Sequence, residues 1–219
     1  SRGLGDVYKR QAVKKGISML LYENRINTKN DLKNWIEYER KKYGGGTASV
    51  IREVFPISEN DVLRKHQVLL RKTEYHTNCE HKVRALICKI KLYRIQNKYA
   101  LHIPINTCGR GLKIMHIGPV LMNGRVTVGK DCSFHINTAL VAGGTSDDVP
   151  YLEDGVVVGI GAVVLGNVHV ARNVAIGANA VVNKNVADEN IAVAGVPAHK
   201  VSNGGGLNWN KNKLISVSY

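Results

Sequence analysis

A six-residue period dominates the C-terminal half of the chain and constrains its fold more than any other feature. Aliphatic or aromatic residues recur at one phase of this period: Val128, Phe134, Leu140, Leu152, Val158, Val164, Val170, Ile176 and Val182. The two runs share a phase because positions 140 and 152 differ by two repeats. Neither the 3.6-residue period of an α-helix nor the two-residue period of a flat strand explains this spacing.

A hexapeptide period is typical of a parallel β-helix, in which each repeat forms one flat side and three sides close a coil. Residues 112–183 then supply about four coils, with one aliphatic side chain per repeat pointing inward. An aromatic content of only 6% fits such a core of small side chains. The alternative is a chance pattern in a sheet protein rich in Val and Gly, which would require nine coincidences.

The first hundred residues have a different character, because they are strongly basic and show helical spacing. They hold 22 Lys and Arg against 10 Asp and Glu, and so carry most of the net charge of +14. Apolar spacing and end signals predict helices over 31–43, from 57 through 70 and over 81–98. The third helix places one set of apolar residues on one side: Val83, Leu86, Ile87, Ile90 and Tyr93.

These patterns predict a mainly β protein: a left-handed parallel β-helix at 101–201, preceded by a small α-helical region at 1–100. Residues 202–219 are predicted to form a flexible tail, and residues 1–11 follow no clear pattern and receive no structural weight. Within 143–151 the hexapeptide order loosens around Gly143, Gly144 and Pro150, which indicates a loop leaving the coil. A functional loop and a plain connector both fit this segment.

Composition and motifs argue against a metal-binding, disulfide-rich, membrane-spanning or nucleic-acid-binding protein. The four cysteines form no C-x-x-C pair, so neither a metal site nor a disulfide framework is expected, and reduced thiols favour a cytoplasmic protein. No apolar run reaches membrane-span length and no signal-peptide pattern is present. The basic region shows no zinc-finger spacing or RNA-recognition motif, so no nucleic-acid partner is expected. A solvated helical face that makes peripheral contact with an anionic membrane surface is the preferred interpretation.

Residues 101–201 resemble the serine acetyltransferase family of hexapeptide-repeat acyltransferases, most closely the branch encoded with surface-polysaccharide genes. The resemblance rests on these stretches: IPINTCGRGLKIMHIGPVLMNG, VTVGKDCSFHINTALVAGGT, VVVGIGAVVLGNVHVARNVAIGANAVVNKNV and AVAGVPAHKV. The AGVPA stretch after a hexapeptide run is fairly specific for acyl-CoA transferases of this fold. The resemblance implies acetyl-CoA as co-substrate and transfer of its acetyl group to a hydroxyl, without fixing the acceptor.

Acetyl transfer to a hydroxyl needs a base for the acceptor proton, and histidine suits this role because its reference pKa is about 6.5. Among the eight histidines, His116 matches the catalytic histidine of the family. It also falls on the hexapeptide phase, where an aliphatic residue is expected, and such local exceptions often mark functional sites. The alternative is a structural histidine at the start of the β-helix. His135 is expected to line the same cleft one coil further on.

Three departures from the family pattern bear on the acceptor. The family's orienting aspartate is replaced by Leu101, and the acidic residue before its catalytic histidine by Met115. The Arg-His pair that helps to hold the serine carboxylate aligns with Asp148 and Val149. His116 therefore needs another orienting group, either a backbone carbonyl or a neighbouring subunit's Asp147 or Asp148. An acidic loop also favours polyhydroxyl or amine acceptors over free serine.

The resemblance further implies that coenzyme A lies along an edge between adjacent β-helices, near Gly144, Ala162 and Ala180, with Lys200 at its nucleotide phosphates. A homotrimer or a dimer of trimers follows, since each site is built between subunits. Three hypotheses stay open: a serine O-acetyltransferase, an acetyltransferase for a surface-polysaccharide sugar or an antibiotic, and a non-catalytic β-helix scaffold.

Overall fold

The computed structural model describes residues 25–44, 49–144 and 147–208. Residues 1–11 and positions 209–219 of the predicted tail lie outside this range. Four helices come first: α1 (Lys29–Lys42), α2 (Ser49–Val54), α3 (Glu59–Asn78) and α4 (Lys82–Tyr99). Short strands follow between Leu101 and Ser202.

The helices begin where the sequence supplies caps. Ser58 precedes α3 and accepts a hydrogen bond from the backbone N–H of Asp61, whose side chain accepts one in return from Ser58. Thr28 and Asp31 form the same reciprocal capping box before α1. The predicted second helix extends eight residues further than the pattern indicated, and the short α2 was not predicted. Because Ala100 takes a left-handed φ of 55°, α4 ends there and β1 begins.

The β-helix has three sheets whose members come from successive coils. Its strands are β1 (Leu101–His102), β2 (Lys113–Ile114), β3 (Val120–Met122), β4 (Thr127–Val128), β5 (Ser133–Phe134), β6 (Thr138–Val141), β7 (Tyr151–Leu152), β8 (Val157–Val158), β9 (Val163–Leu165), β10 (His169–Val170), β11 (Ala175–Ile176), β12 (Val181–Val182), β13 (Ala192–Ala194) and β14 (His199–Ser202). Sheet I contains β1-β3-β6-β9-β12, sheet II contains β4-β7-β10, and sheet III contains β2-β5-β8-β11-β13-β14. Every pair is parallel except β13–β14. The predicted left-handed β-helix with a helical N-terminal part is confirmed.

The hexapeptide phase defines the core. All nine residues that established the phase are at most 2% exposed, and they form one continuous apolar column. Partner residues in neighbouring coils lie 18 positions apart, as for Val157 and Ala175. The spacing grows to 24 between Ser133 and Val157, because the chain between β6 and β7 is six residues longer than in the other coils.

The turns from sheet III into sheet I stack into one edge of the β-helix, which we call the III–I corner (115–119, 135–137, 159–162 and 177–180). Backbone N–H groups of one turn donate to carbonyls of the turn in the preceding coil, as Gly161 does to Ile136 over 3.0 Å. Asn137 and Asn179 take left-handed φ angles of 60° and 56° in these turns. This corner therefore carries side chains from successive coils in a fixed order.

Candidate active site

Two histidines from successive coils meet at the III–I corner. His116 precedes β3 and His135 precedes β6, and their ring centroids are 6.3 Å apart with the rings tilted by 45°. The side chain of His116 is 59% exposed, so its ring can reach a substrate at the surface. The structure thus brings together the two histidines that the sequence placed in one cleft.

The hexapeptide argument for His116 is wrong in its geometry, although the residue itself remains the candidate base. In the first coil the inward position belongs to Ile114, which is 1% exposed and pairs with Phe134, 20 positions further on. The III–I corner of this coil is two residues wider than the regular 18-residue spacing allows. His116 lies in the widened turn and points outward. The apparent phase match came from counting sixes through this insertion.

A carboxylate that sequence reasoning missed lies beside His116. Glu59, the first residue of α3, places Oε2 3.3 Å from His116 Nδ1. Its other oxygen, Oε1, accepts a hydrogen bond from the backbone N–H of Ile117 over 2.6 Å. Glu59 is 57 positions from His116, and no local pattern in the sequence connects the two. The capping box at Ser58 fixed the start of α3, but nothing indicated where that start would dock.

The acidic loop lies at another corner of the same β-helix. Asp147 follows β6, at the turn from sheet I to sheet II, and its side chain is 95% exposed. Arg125 from the preceding coil lies 3.6 Å from a carboxylate oxygen of Asp147 and also donates to its backbone carbonyl. Asp148 follows in the same segment. Within a single chain the loop and the III–I corner are therefore separate.

The residues predicted to meet coenzyme A divide between two corners and one end of the β-helix. Ala162 and Ala180 lie on the III–I corner, but their side chains are fully buried. Their backbone carbonyls already accept from Ala139 and Val163, so contacts along this edge would come from neighbouring residues. Gly144 follows β6 beside the acidic loop. Lys200 lies on β14, partly exposed and 3.3 Å from a carboxylate oxygen of Asp188.

His169 and the two buried thiols of the β-helix have environments that do not suggest catalysis. His169, on sheet II, stacks on Tyr151 at 5.0 Å and lies 2.8 Å from a carboxylate oxygen of Glu153. Burial raises the pKa of the Cys108 thiol to about 12 and also raises that of Cys132. Both thiols are therefore poor nucleophiles. No group of His, Cys, Asp and Glu within the described residues could hold a metal ion.

Comparison with known proteins finds similar sequences. Serine acetyltransferase of Buchnera aphidicola subsp. Schizaphis graminum is 28% identical over 167 residues, which cover 68% of this chain and 62% of that protein. Serine acetyltransferase of Escherichia coli strain K12 is 35% identical over 100 residues, covering 45% and 36%. The chain is therefore similar to serine acetyltransferases over part of its length. It spans less than two thirds of the length of these curated relatives, and no protein-family model matches it.

Solved structures show a likeness in fold over most of the chain. A serine acetyltransferase in complex with CoA superimposes with a TM-score of 0.57 at 21% identity, covering 79% of this chain and 71% of that one. The Neisseria gonorrhoeae serine acetyltransferase in complex with serine gives a TM-score of 0.52 at 20% identity, covering 90% and 75%. At these identities the likeness shows the fold. The helices before the β-helix are included in it.

Proposed function

We propose that this protein is an acetyl-CoA-dependent O-acetyltransferase that works in the cytoplasm and uses His116 as its general base. The observation that supports this most is the position of His116. It matches the catalytic histidine of the serine acetyltransferase family, lies exposed on the III–I corner, and has a second imidazole and a carboxylate beside it. A purely structural histidine would not need this exposure.

The reaction follows from the exposed imidazole. His116 Nε2 accepts the proton of the acceptor hydroxyl, and the hydroxyl oxygen attacks the carbonyl carbon of the acetyl thioester. The carbon–sulfur bond of the tetrahedral intermediate then breaks. The departing thiolate takes the proton back from His116, which leaves an acetyl ester and coenzyme A. We expect His135, whose ring centroid lies 6.3 Å from that of His116, to contact the acceptor or the developing oxyanion.

A trimer would bring the separated parts of the site together. In a three-fold assembly, the acidic loop of one subunit can face the III–I corner of the next, so that Asp147 and Asp148 reach the acceptor at His116. Lys200 and His116 are five strand spacings apart along sheet III, about 24 Å, so a long co-substrate could span them. The same reasoning supports a homotrimer or a dimer of trimers with coenzyme A between adjacent β-helices.

The charge of the loop that holds Asp147 and Asp148 helps to identify the acetyl acceptor. Asp148 and Val149 align with the Arg-His pair that a serine enzyme uses for the amino-acid carboxylate, and Asp147 adds a second acidic group beside them. Two carboxylates repel a third and favour hydroxyl- or amine-rich acceptors. We therefore favour a sugar of a surface polysaccharide, or an antibiotic, over free serine. The Neisseria structure with serine describes that protein's ligand.

The test is release of free thiol from acetyl-CoA with a panel of acceptors: serine, amino sugars, nucleotide sugars and polysaccharide fragments. We expect release with at least one acceptor, and loss of that release in His116→Ala with the oligomer unchanged. Asp147→Asn serves to separate acceptor binding from the chemistry, because it should raise KM for the acceptor. Absence of release with every acceptor would favour the scaffold hypothesis, and unchanged turnover in His116→Ala would exclude its role as base.

A second surface supports peripheral contact with an anionic membrane. Helix α4 leaves five apolar side chains between 46% and 72% exposed, all on one face: Val83, Leu86, Ile87, Ile90 and Tyr93. The same helix carries six basic residues and no acidic one: Lys82, Arg84, Lys89, Lys91, Arg94 and Lys98. A cavity of about 790 Å³ beside it adds Lys65 and Lys72 to its lining. An exposed apolar face flanked by cations is typical of helices that lie at an anionic lipid interface.

Two partners could cover the exposed face of α4, a lipid surface or a second copy of this chain. The charge of the helix favours the lipid surface. Two copies packed through α4 would bring six cations against six, whereas anionic headgroups would neutralise them. We expect sedimentation with phosphatidylglycerol vesicles, weak sedimentation with phosphatidylcholine vesicles, and loss of binding in Leu86→Ser/Ile90→Ser. Val201→Ser, which alters an exposed residue of β14, is the control. Equal binding to both vesicles, or a double variant that falls apart into smaller oligomers, would contradict the proposal. Within the described residues, no helix is long and apolar enough to cross a membrane.

A further inference from the structure

We infer that Glu59, supplied by the helical region, is the carboxylate that positions His116 for proton abstraction. This inference deepens the proposed acetyltransferase function and rests on it. It also means that the β-helix does not hold the complete site. The helical region then contributes a functional group as well as stability.

Both carboxylate oxygens of Glu59 have a partner on the turn that carries His116, and this holds the imidazole in one orientation. The bond from Ile117 N–H to Oε1 holds one oxygen of Glu59, and this leaves Oε2 facing His116 Nδ1 at 3.3 Å. A carboxylate at Nδ1 favours the tautomer with its proton on that nitrogen. The lone pair of Nε2 is then free to accept the proton of a substrate hydroxyl. The arrangement is the one that catalytic histidines use when a carboxylate orients them and stabilises the imidazolium.

Position 101 offers no alternative group. Leu101, which stands at the family's orienting aspartate, is fully buried in the apolar core and pairs with Val120 in sheet I. A carboxylate there would be buried among apolar side chains. Met115 likewise lacks charge. Among the described residues, Glu59 is the one carboxylate that pairs with His116. The chain therefore has a carboxylate at His116, but it comes from a different element.

The start of α3 is held well enough to serve as such a support. Ser58 and Asp61 fix the first turn through their capping box, and a carboxylate at a helix N-terminus is favoured by the helix dipole. Further along the helix, Arg71 donates to the backbone carbonyls of Cys108 and Gly109 over 2.9 and 2.8 Å. These bonds join α3 to the first coil of the β-helix. Glu59 and His116 are thus attached to two elements that are locked together.

The experiment uses four variants of the full chain: Glu59→Gln, Glu59→Asp, Glu59→Ala and, as a matched control, Glu37→Ala on the exposed face of α1. We expect Glu59→Ala to lower kcat about 10- to 100-fold, the usual loss for a group that orients another, with little change in KM for acetyl-CoA. Glu59→Gln should retain part of the activity, because its amide oxygen can still accept from Nδ1–H. Glu37→Ala should match the wild type.

Two readouts separate positioning from a structural role. Added formate should restore part of the activity of Glu59→Ala and have no effect on Glu37→Ala or His116→Ala. Nitrogen NMR of labelled His116 should show the Nδ1–H tautomer in the wild type and a mixture in Glu59→Ala. Wild-type kcat in Glu59→Ala, or an unchanged tautomer, would overturn the inference. If His116→Ala keeps full activity, the proposed function fails instead, whereas a result confined to Glu59 leaves that function standing.

Discussion

The interior of the β-helix differs from its junction with the helical region in the charged side chains that are buried there. The interior of the β-helix is a column of apolar side chains, and its strands pair with one another in three sheets. The junction between the two regions is polar and buried: Arg71 pairs with Glu39 at 2.8 Å and with Glu74 at 2.9 Å. The repeating part therefore needs only the right residue class at each position, whereas the junction needs particular residues.

The polar junction ends on backbone atoms of the first coil. Glu39 accepts from the N–H of Gly111 over 2.9 Å, and the hydroxyl of Tyr43 accepts from the N–H of Ile114 over 2.8 Å. Lys42 donates to the carbonyl of Gly111 over 2.7 Å. These groups would otherwise be unpaired at the exposed end of the β-helix. The helical region caps this end of the coil and, in doing so, sets Glu59 beside His116.

Substitution of Arg71 should have the largest effect, because it tests whether buried charges hold the junction between the helical region and the β-helix. Replacing it with Met leaves Glu39 and Glu74 buried without their cation, which should lower the free energy of unfolding by about 3–5 kcal/mol. The control is Lys33→Met, which removes the exposed cation of the 3.9 Å pair with Glu37 and should change stability by less than about 0.5 kcal/mol. Urea unfolding at one fixed chain concentration measures both. Equal effects would mean that the junction is not held by its buried charges.

Substitution of one leucine in the interior of the β-helix and one on the outer face of α4 compares the stability that each region contributes. Leu140 is 1% exposed and lies on the hexapeptide phase, so Leu140→Ala should cost about 3 kcal/mol through lost burial and a cavity. Leu86 is 60% exposed, and Leu86→Ala should cost about 0.5 kcal/mol or less. Thermal unfolding distinguishes them. A large effect at Leu86 would show that another copy of the chain covers α4, contrary to the lipid proposal.

Acid sensitivity is expected to arise in the helical region, at His66. Burial, together with the charge of Arg71, lowers the pKa of this fully buried histidine to about 4. The unfolded chain binds the proton near pH 6.5, so stability is full above that pH and falls as the pH drops from about 6.5 toward 4. We expect wild type to lose about 2 kcal/mol at pH 5 relative to His66→Leu. Unfolding of both proteins from pH 8 to pH 5 measures this difference. Parallel curves would refute it.

Much of the fold could be predicted from the sequence because its determinants are local or periodic. The hexapeptide phase identified nine core positions, and the Ser58 capping box fixed the start of α3. The inward position in the first coil could not be predicted, because two extra residues shift Ile114 into the place that the count assigned to His116. The apolar face of α4 would ordinarily indicate a core contact, yet the structure leaves it exposed.

Only part of the candidate site could be predicted from the sequence, and His116 was found by its match to the family's catalytic histidine. His116 and His135 lie on one strand-to-strand corner, so their proximity follows from the coil geometry. Glu59 comes from a helix whose docking depends on the buried network at Arg71, and no sequence spacing encodes that placement. The positions predicted for the co-substrate and for the acidic loop remain predictions, since they involve contacts between chains.

The central claim is that the helical region and the β-helix form one active site, and a double-mutant cycle tests it most directly. The measured quantity is kcat/KM of wild type, His116→Ala, Glu59→Ala and the double variant, from thiol release with the accepted acceptor. If Glu59 acts through His116, Glu59→Ala should cost about 10- to 100-fold in the wild type and less than about twofold once His116 is removed. The same loss in both backgrounds would contradict the account, because Glu59 would then act independently of the histidine.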